Sequence, residues 1–147
     1  YIEPHDSLTV DGMSIATIEA NDAGVGFLIS VDGVTLYHAG DHAGWAENEK
    51  EGYTGEIDFL AERVNSLDLA FLNTTGCHSH DTIALFEGTC YTLDKLNPGV
   101  FFPTHAVNRE FVYSQFAQKL VDHGYTTTVA LPRNRGDAFV YRQGRLQ

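Results

Sequence analysis

The sequence predicts an α/β layer protein with mixed strand pairing, and three observations carry that prediction. Asp-Gly pairs at 11–12 and 32–33 each stand between runs of β-type residues, which reads as two consecutive hairpins. Beyond them, helical stripes of apolar residues alternate with short, wholly apolar runs, the pattern of strands joined by crossover helices. The chain has 147 residues, 43% of them hydrophobic and 12% aromatic, which suits one folded domain over 1–147 with a core of its own.

The elements follow in order. "SLTVDGMSIATIEA" and "GVGFLISVDGVTLYHAG" are each strand, turn, strand. In the second, Phe27, Ile29 and Val31 alternate with Leu28 and Ser30, and Val34, Leu36 and His38 alternate with Thr35 and Tyr37. Apolar residues on both faces predict a hairpin covered on both sides. "GDHAGWAENEKEGYTG" is rich in glycine and charge and reads as a loop. "EIDFLAERVN" carries apolar residues at 57, 60, 61 and 64 and reads as a helix. "LDLAFLN" is a buried strand. Ile83, Phe86, Cys90 and Leu93 make the stripe of the next helix, with Asp81 as its N-cap and Asn97-Pro98-Gly99 as its stop. "VFFPTH" is a further buried strand. Asn108 is the expected cap of the last helix, whose face is Val112, Phe116 and Leu120, and Gly124 ends it. "TTTVAL" and "AFVYR" close the sheet, with a solvated basic turn at Arg133-Asn134-Arg135 between them.

Composition narrows the function. A formal charge of −11 argues against nucleic acid or an anionic membrane as partner, yet suits divalent cations, and the chain holds seven histidines. No apolar run reaches the ~20 residues of a membrane span, and no signal peptide is visible, so the expected location is cytoplasmic. Cys77 and Cys90 are expected as free thiols of a reducing compartment. The chain starts at Tyr1 and its only methionine is Met13, so an upstream segment is expected.

Polar groups gather at strand ends, where layered α/β folds carry their functional residues. Asp41 and His42 follow one strand, His78 and His80 follow "LDLAFLN", and His105 follows "VFFPT". If these strands neighbour one another, Asp plus several His is a transition-metal constellation. Each residue also has a structural reading. Asp41 can make an Asx-turn, and His78 and His80 can cap a helix. His38 reads as a hydrogen-bonded core histidine, and His5 and His123 are given structural roles.

"GVGFLISVDGVTLYHAGDHAGW", "LDLAFLNTTG" and "PGVFFPTH" together resemble the second half of a metallo-β-lactamase-fold hydrolase, closest to the branch that includes the ascorbate-6-phosphate lactonases. The resemblance covers roughly residues 12–107. It implies the C-terminal half of an αββα sandwich, in which two sheets pack face to face, helices lie outside, and metal ions sit at the shared edge. It implies that Asp41 is a bridging ligand and that His105 is the last histidine ligand. The expected ion is a divalent transition metal, zinc first and manganese or iron next. The implied chemistry is attack of a metal-bound hydroxide on an ester, lactone or phosphodiester. His78 and His80 are the further candidate ligands. His42 and Trp45 are the candidates for contact with a small-molecule substrate.

The departures are as specific. The family's H-x-H-x-D-H motif is absent. The position of another family ligand, near "IEANDAG", holds Asn21 and Asp22, and the residue after Asp41 is His42 where threonine is usual. Two readings follow. The chain is a metal-dependent hydrolase or the C-terminal portion of one, or it is a relative that kept the scaffold as a binding or assembly module. Either way a bare sheet face predicts a partner: a missing N-terminal portion or a second copy of the chain.

Overall fold

The computed structural model describes residues 1–45, 49–75 and 81–147. Its main sheet has seven strands in sequence order: β1 (Ser7–Val10), β2 (Met13–Glu19), β3 (Val25–Val31), β4 (Val34–His38), β5 (Leu69–Asn73), β6 (Val100–Thr104) and β7 (Thr128–Val129). β1 to β4 pair antiparallel, and β4 to β7 pair parallel. The change of sense follows from the connections. Both hairpins turn on Asp-Gly pairs with positive φ at each residue, the geometry that matches strand twist. Parallel neighbours instead need crossovers, supplied by α1 (Lys50–Ala61), α2 (Thr82–Leu96) and α3 (Phe111–Asp122).

All three helices cover one face. Tyr53, Ile57 and Leu60 of α1, Phe86, Leu93 and Leu96 of α2, and Phe116 and Leu120 of α3 pack with Ile18, Leu28, Tyr37, Ala70, Leu72 and Phe101 of the sheet. Ile18, Tyr37, Ile57, Leu60 and Phe101 are inaccessible to solvent. Asp81 caps α2 as expected, accepting from the N–H groups of Ile83 and Ala84. Asn97, left-handed at φ 42°, ends it. Gly124 at φ 87° follows α3.

Six expectations need correction. The hairpin β3–β4 is covered on one side only: Leu28 and Tyr37 are buried, while Ile29 and Leu36 are half-buried and His38 is exposed. His38 is thus a strand histidine on the open face, not a core one. α1 begins at Lys50, inside the stretch read as a loop. Gly52 and Gly55 lie on its exposed side, so they dilute the pattern without touching the buried stripe. Ile83, placed in the stripe of α2, is 65% exposed, because it lies in the first turn beyond the sheet edge. Asn108 sits in a turn at φ 59°, and α3 starts three residues later without a side-chain cap. Finally, "AFVYR" does not join the main sheet. Tyr141–Arg142 (β8) folds back on Arg145–Leu146 (β9) as a separate hairpin. That hairpin packs on Leu69 and Val100, and Tyr141 donates to Asp68 at 2.7 Å.

Candidate metal site

β4, β5 and β6 are parallel, so their C-terminal ends share one edge of the sheet. Polar bonds tie those ends together. Asn73 Nδ2 donates to the Gly40 carbonyl at 2.8 Å, and Thr104 Oγ1 donates to Asn73 Oδ1 at 2.8 Å. Thr75 Oγ1 donates to the His105 carbonyl at 2.6 Å. Asn73 is nearly fully buried, so its amide must be satisfied, and it is satisfied by the loops it aligns.

Two backbone features then aim the side chains. Gly40 has φ 58°, and a Cβ there would lie 2.4 Å from the Val25 carbonyl oxygen. Only glycine fits, and the turn it makes delivers Asp41 to the edge. His105 has φ 74°, a strained conformation for a residue with a side chain. The result is His105 Nε2 at 3.7 Å from Asp41 Oδ1, with both side chains partly open to solvent. That is long for a hydrogen bond. Two donors of one tetrahedral ion with bonds of ~2.0–2.1 Å lie about 3.4 Å apart, so the spacing and the N,O donor set fit neighbouring ligands of a zinc-type ion. Among the described residues, no group of three or more His, Cys, Asp or Glu converges on one point. His78 and His80, the other candidate ligands, lie outside the described residues, as does Cys77. Cys90 is free and half-buried.

The other histidines are positioned differently. The Gly40 N–H donates to His38 Nδ1, and the Asn21 N–H donates to His42 Nδ1. Each bond leaves the ring proton on Nε2, so a neutral ring offers a donor there and no lone pair for a metal. His42, a candidate for substrate contact, is 2% exposed and stacks on Tyr53 with ring centres 4.2 Å apart. Burial lowers its pKa from 6.5 to about 4, so it is neutral at pH 7. It belongs to the scaffold beneath the site, not to a surface open to substrate. Trp45 is half-buried, edge-on to Tyr53, with the Lys50 ammonium 4.9 Å from its ring centre. His5 pairs with Glu56 and packs on Phe59, while His123 holds the end of α3 through Lys119, the structural roles expected of them.

Asn21 is the residue whose role the sequence did not disclose. Its Nδ2 donates to the Gly44 carbonyl at 2.8 Å, and its Oδ1 accepts from the Ala43 N–H at 2.9 Å. The amide therefore clamps the loop that carries Asp41, from the position where the resemblance implied a ligand. The only sequence signal was an asparagine directly after a strand, a common turn residue. On the far side, Gly44 and Gly88 let the loop and α2 meet backbone to backbone.

No protein-family model matches the sequence, and no curated protein matches it. Solved structures do. The metallo-β-lactamase-fold protein YhfI from Bacillus subtilis matches with TM-score 0.51 and 11% identity, over 87% of this chain and 50% of that one. A proposed zinc-dependent hydrolase of the metallo-β-lactamase superfamily from Thermotoga maritima matches with TM-score 0.49 and 17% identity, over 71% of this chain and 47% of that one. The match to YhfI shows that the chain shares the fold of that metallo-β-lactamase-fold protein over half of its length. The chain spans about half the length of each of these two solved structures.

Proposed function

We propose that this chain is a metal-dependent hydrolase, or the C-terminal portion of one, in which Asp41 and His105 hold a divalent transition metal. The observation that carries the reading is the 3.7 Å approach of His105 Nε2 to Asp41 Oδ1 at the edge where three tied strand ends meet. Zinc is the first candidate ion, with manganese or iron next, given one imidazole and one carboxylate. When bound, such an ion supplies an activated water and polarises a carbonyl or phosphoryl oxygen. The chain's own part is to hold the two donors in place through Gly40, Asn73 and Thr104, and to keep His42 neutral beneath them. His78 and His80 are proposed as further ligands. The substrate is proposed as an ester, lactone or phosphodiester, in keeping with the motif resemblance to the lactonase-like branch. A cytoplasmic location is proposed with it. Among the described residues, no helix is long and apolar enough to cross a membrane.

Equilibrium dialysis of the chain against zinc, manganese and iron(II), followed by elemental analysis, tests the reading. Retained metal is expected in the wild type, and Asp41→Ala and His105→Ala should each lose it. Loss in the paired His78→Ala, His80→Ala variant would add those ligands. A wild-type chain that holds no metal and cleaves no ester, lactone or phosphodiester probe would reject the hydrolase reading. It would favour the binding-module alternative.

A further inference from the structure

Large apolar side chains stand open at the edge where Asp41 and His105 meet. Ile83 is 65% exposed, Val107 77% and Phe111 63%. All three lie where the chain leaves β5 or β6 and enters the next helix, hence at the C-terminal edge of the parallel strands. The segment after His105 is pinned. Ala106 is buried and donates its N–H to the Tyr113 hydroxyl at 3.1 Å, and the Arg109 N–H donates to the Ala106 carbonyl at 2.8 Å. Leu131 and Pro132 arrive from the other side. The Ala130 N–H donates to the Phe101 carbonyl at 2.9 Å, so the chain after it runs beside the end of β6. Between the two segments lies a cleft of about 380 Å³, lined by Glu110, Phe111, Ser114, Leu131, Pro132 and Arg133. That volume is at the low end for small-molecule pockets and suits a short acyl chain or a single ring.

The charge of the chain reverses here. Six of its nine basic residues lie beyond His105, with only three of its twenty acidic ones. At the cleft, Glu110 stands at the N-terminus of α3, where the helix dipole offsets its charge. One carboxylate oxygen of Asp137 accepts from the N–H groups of both Arg133 and Asn134. Arg133 itself is exposed and lines the cleft with the three apolar residues.

We propose that this cleft binds an apolar tail of the substrate, and that the tail ends in a carboxylate held by Arg133. That the tail belongs to a substrate rests on the hydrolase reading; that the cleft takes an apolar carboxylate rests on its own lining. A guanidinium fork matches a carboxylate in shape and charge, and Phe111, Leu131 and Pro132 supply the apolar walls. Glu110 on the same cleft favours a monoanion over a doubly charged phosphate monoester, because each added negative charge meets its carboxylate.

Amide NMR titration of the intact chain with butanoate, hexanoate and octanoate is the experiment, with EDTA present so that metal plays no part. The amides of Phe111, Ser114, Leu131 and Arg133 should shift. Affinity should rise about threefold per methylene, short of the roughly fourfold of complete burial because the cleft is open on one side. Uncharged octanamide should bind about tenfold more weakly than octanoate, and Arg133→Gln should erase that difference. Phe111→Ala should weaken octanoate about tenfold and leave butanoate nearly unchanged. Both substituted side chains are exposed, and the wild-type shifts locate the site even if a variant fails to fold. Shifts confined to the open sheet face around Phe71 and Phe102 would overturn the proposal. So would affinity independent of chain length, equal binding of octanamide by the wild type, or octyl phosphate binding more tightly than octanoate. A chain that takes octanoate in the cleft but holds no metal would fail the hydrolase reading alone.

Discussion

Gly88→Ala and Gly55→Ala make the same chemical change in two helices and should move stability in opposite directions. Alanine is favoured over glycine inside a helix by about 1 kcal/mol. At Gly55, on the exposed side of α1, nothing lies within 4 Å of the added Cβ, so Gly55→Ala should stabilise the chain by about 0.5–1 kcal/mol. At Gly88 the Cβ would lie 2.9 Å from Gly44 Cα and 3.3 Å from both Gly44 N and Tyr53 Cζ. Those neighbours cannot retreat easily. Gly44 is held at φ 57° with its carbonyl bonded to Asn21, and a shift away from α2 would strain that clamp. Tyr53 donates to the Gly88 carbonyl at 3.1 Å and pairs with Thr92 at 2.7 Å. Forcing a methyl into such a contact costs about 1–3 kcal/mol, which offsets the helical gain and exceeds it where the backbone must move. The expected net effect of Gly88→Ala is destabilisation by about 1–2 kcal/mol. Urea unfolding of both variants reads it directly, as midpoints shifted to opposite sides of the wild type at a common m-value. A Gly88→Ala variant as stable as Gly55→Ala would refute the close backbone packing of α2 on the Asp41 loop.

Asn21→Ala removes the two side-chain bonds of the clamp and should cost about 2–3 kcal/mol by the same assay. A loss within 0.5 kcal/mol would mean that water replaces the amide. His42 gives a pH dependence of definite sign. Between its ordinary pKa of 6.5 and its folded value of about 4, the unfolded chain binds a proton that the folded chain does not. Metal-free stability should therefore fall as pH drops through that window, by up to about 3 kcal/mol near pH 4. His42→Phe should fall less steeply, and parallel profiles for the two proteins would show that His42 is not held neutral. Among the described residues, the buried Tyr37 hydroxyl has no hydrogen-bond partner, whereas that of Tyr53 has two. Tyr37→Phe should be neutral or stabilising and Tyr53→Phe should cost about 1–2 kcal/mol. Thermal melts that rank the pair the other way would contradict these hydrogen-bond assignments.

Much of this was legible without coordinates, because it is local physics. An Asp-Gly pair adopts positive φ with little help from the rest of the chain, so both hairpins could be read. Asp81 caps α2 through bonds to residues two and three places on, and Phe86, Leu93, Phe116 and Leu120 mark their helical faces by spacing. Asp41 and His105 could be named as strand-end candidates on the same ground. Their meeting could not be derived from spacing. It depends on β4, β5 and β6 lying side by side and parallel, on Asn73 and Thr104 tying the ends, and on a strained His105 whose φ no neighbour in sequence dictates. The fate of other residues was equally non-local. Phe27, Ile29 and Leu36 are as apolar as Leu28 and Tyr37, yet only the latter are buried, because all three crossover helices pack on one face. His38 and His42 lie four residues apart, one the last residue of β4 and the other in the loop that follows it. One points along the open face and the other beneath a tyrosine from α1, and that difference belongs to the packing of distant segments.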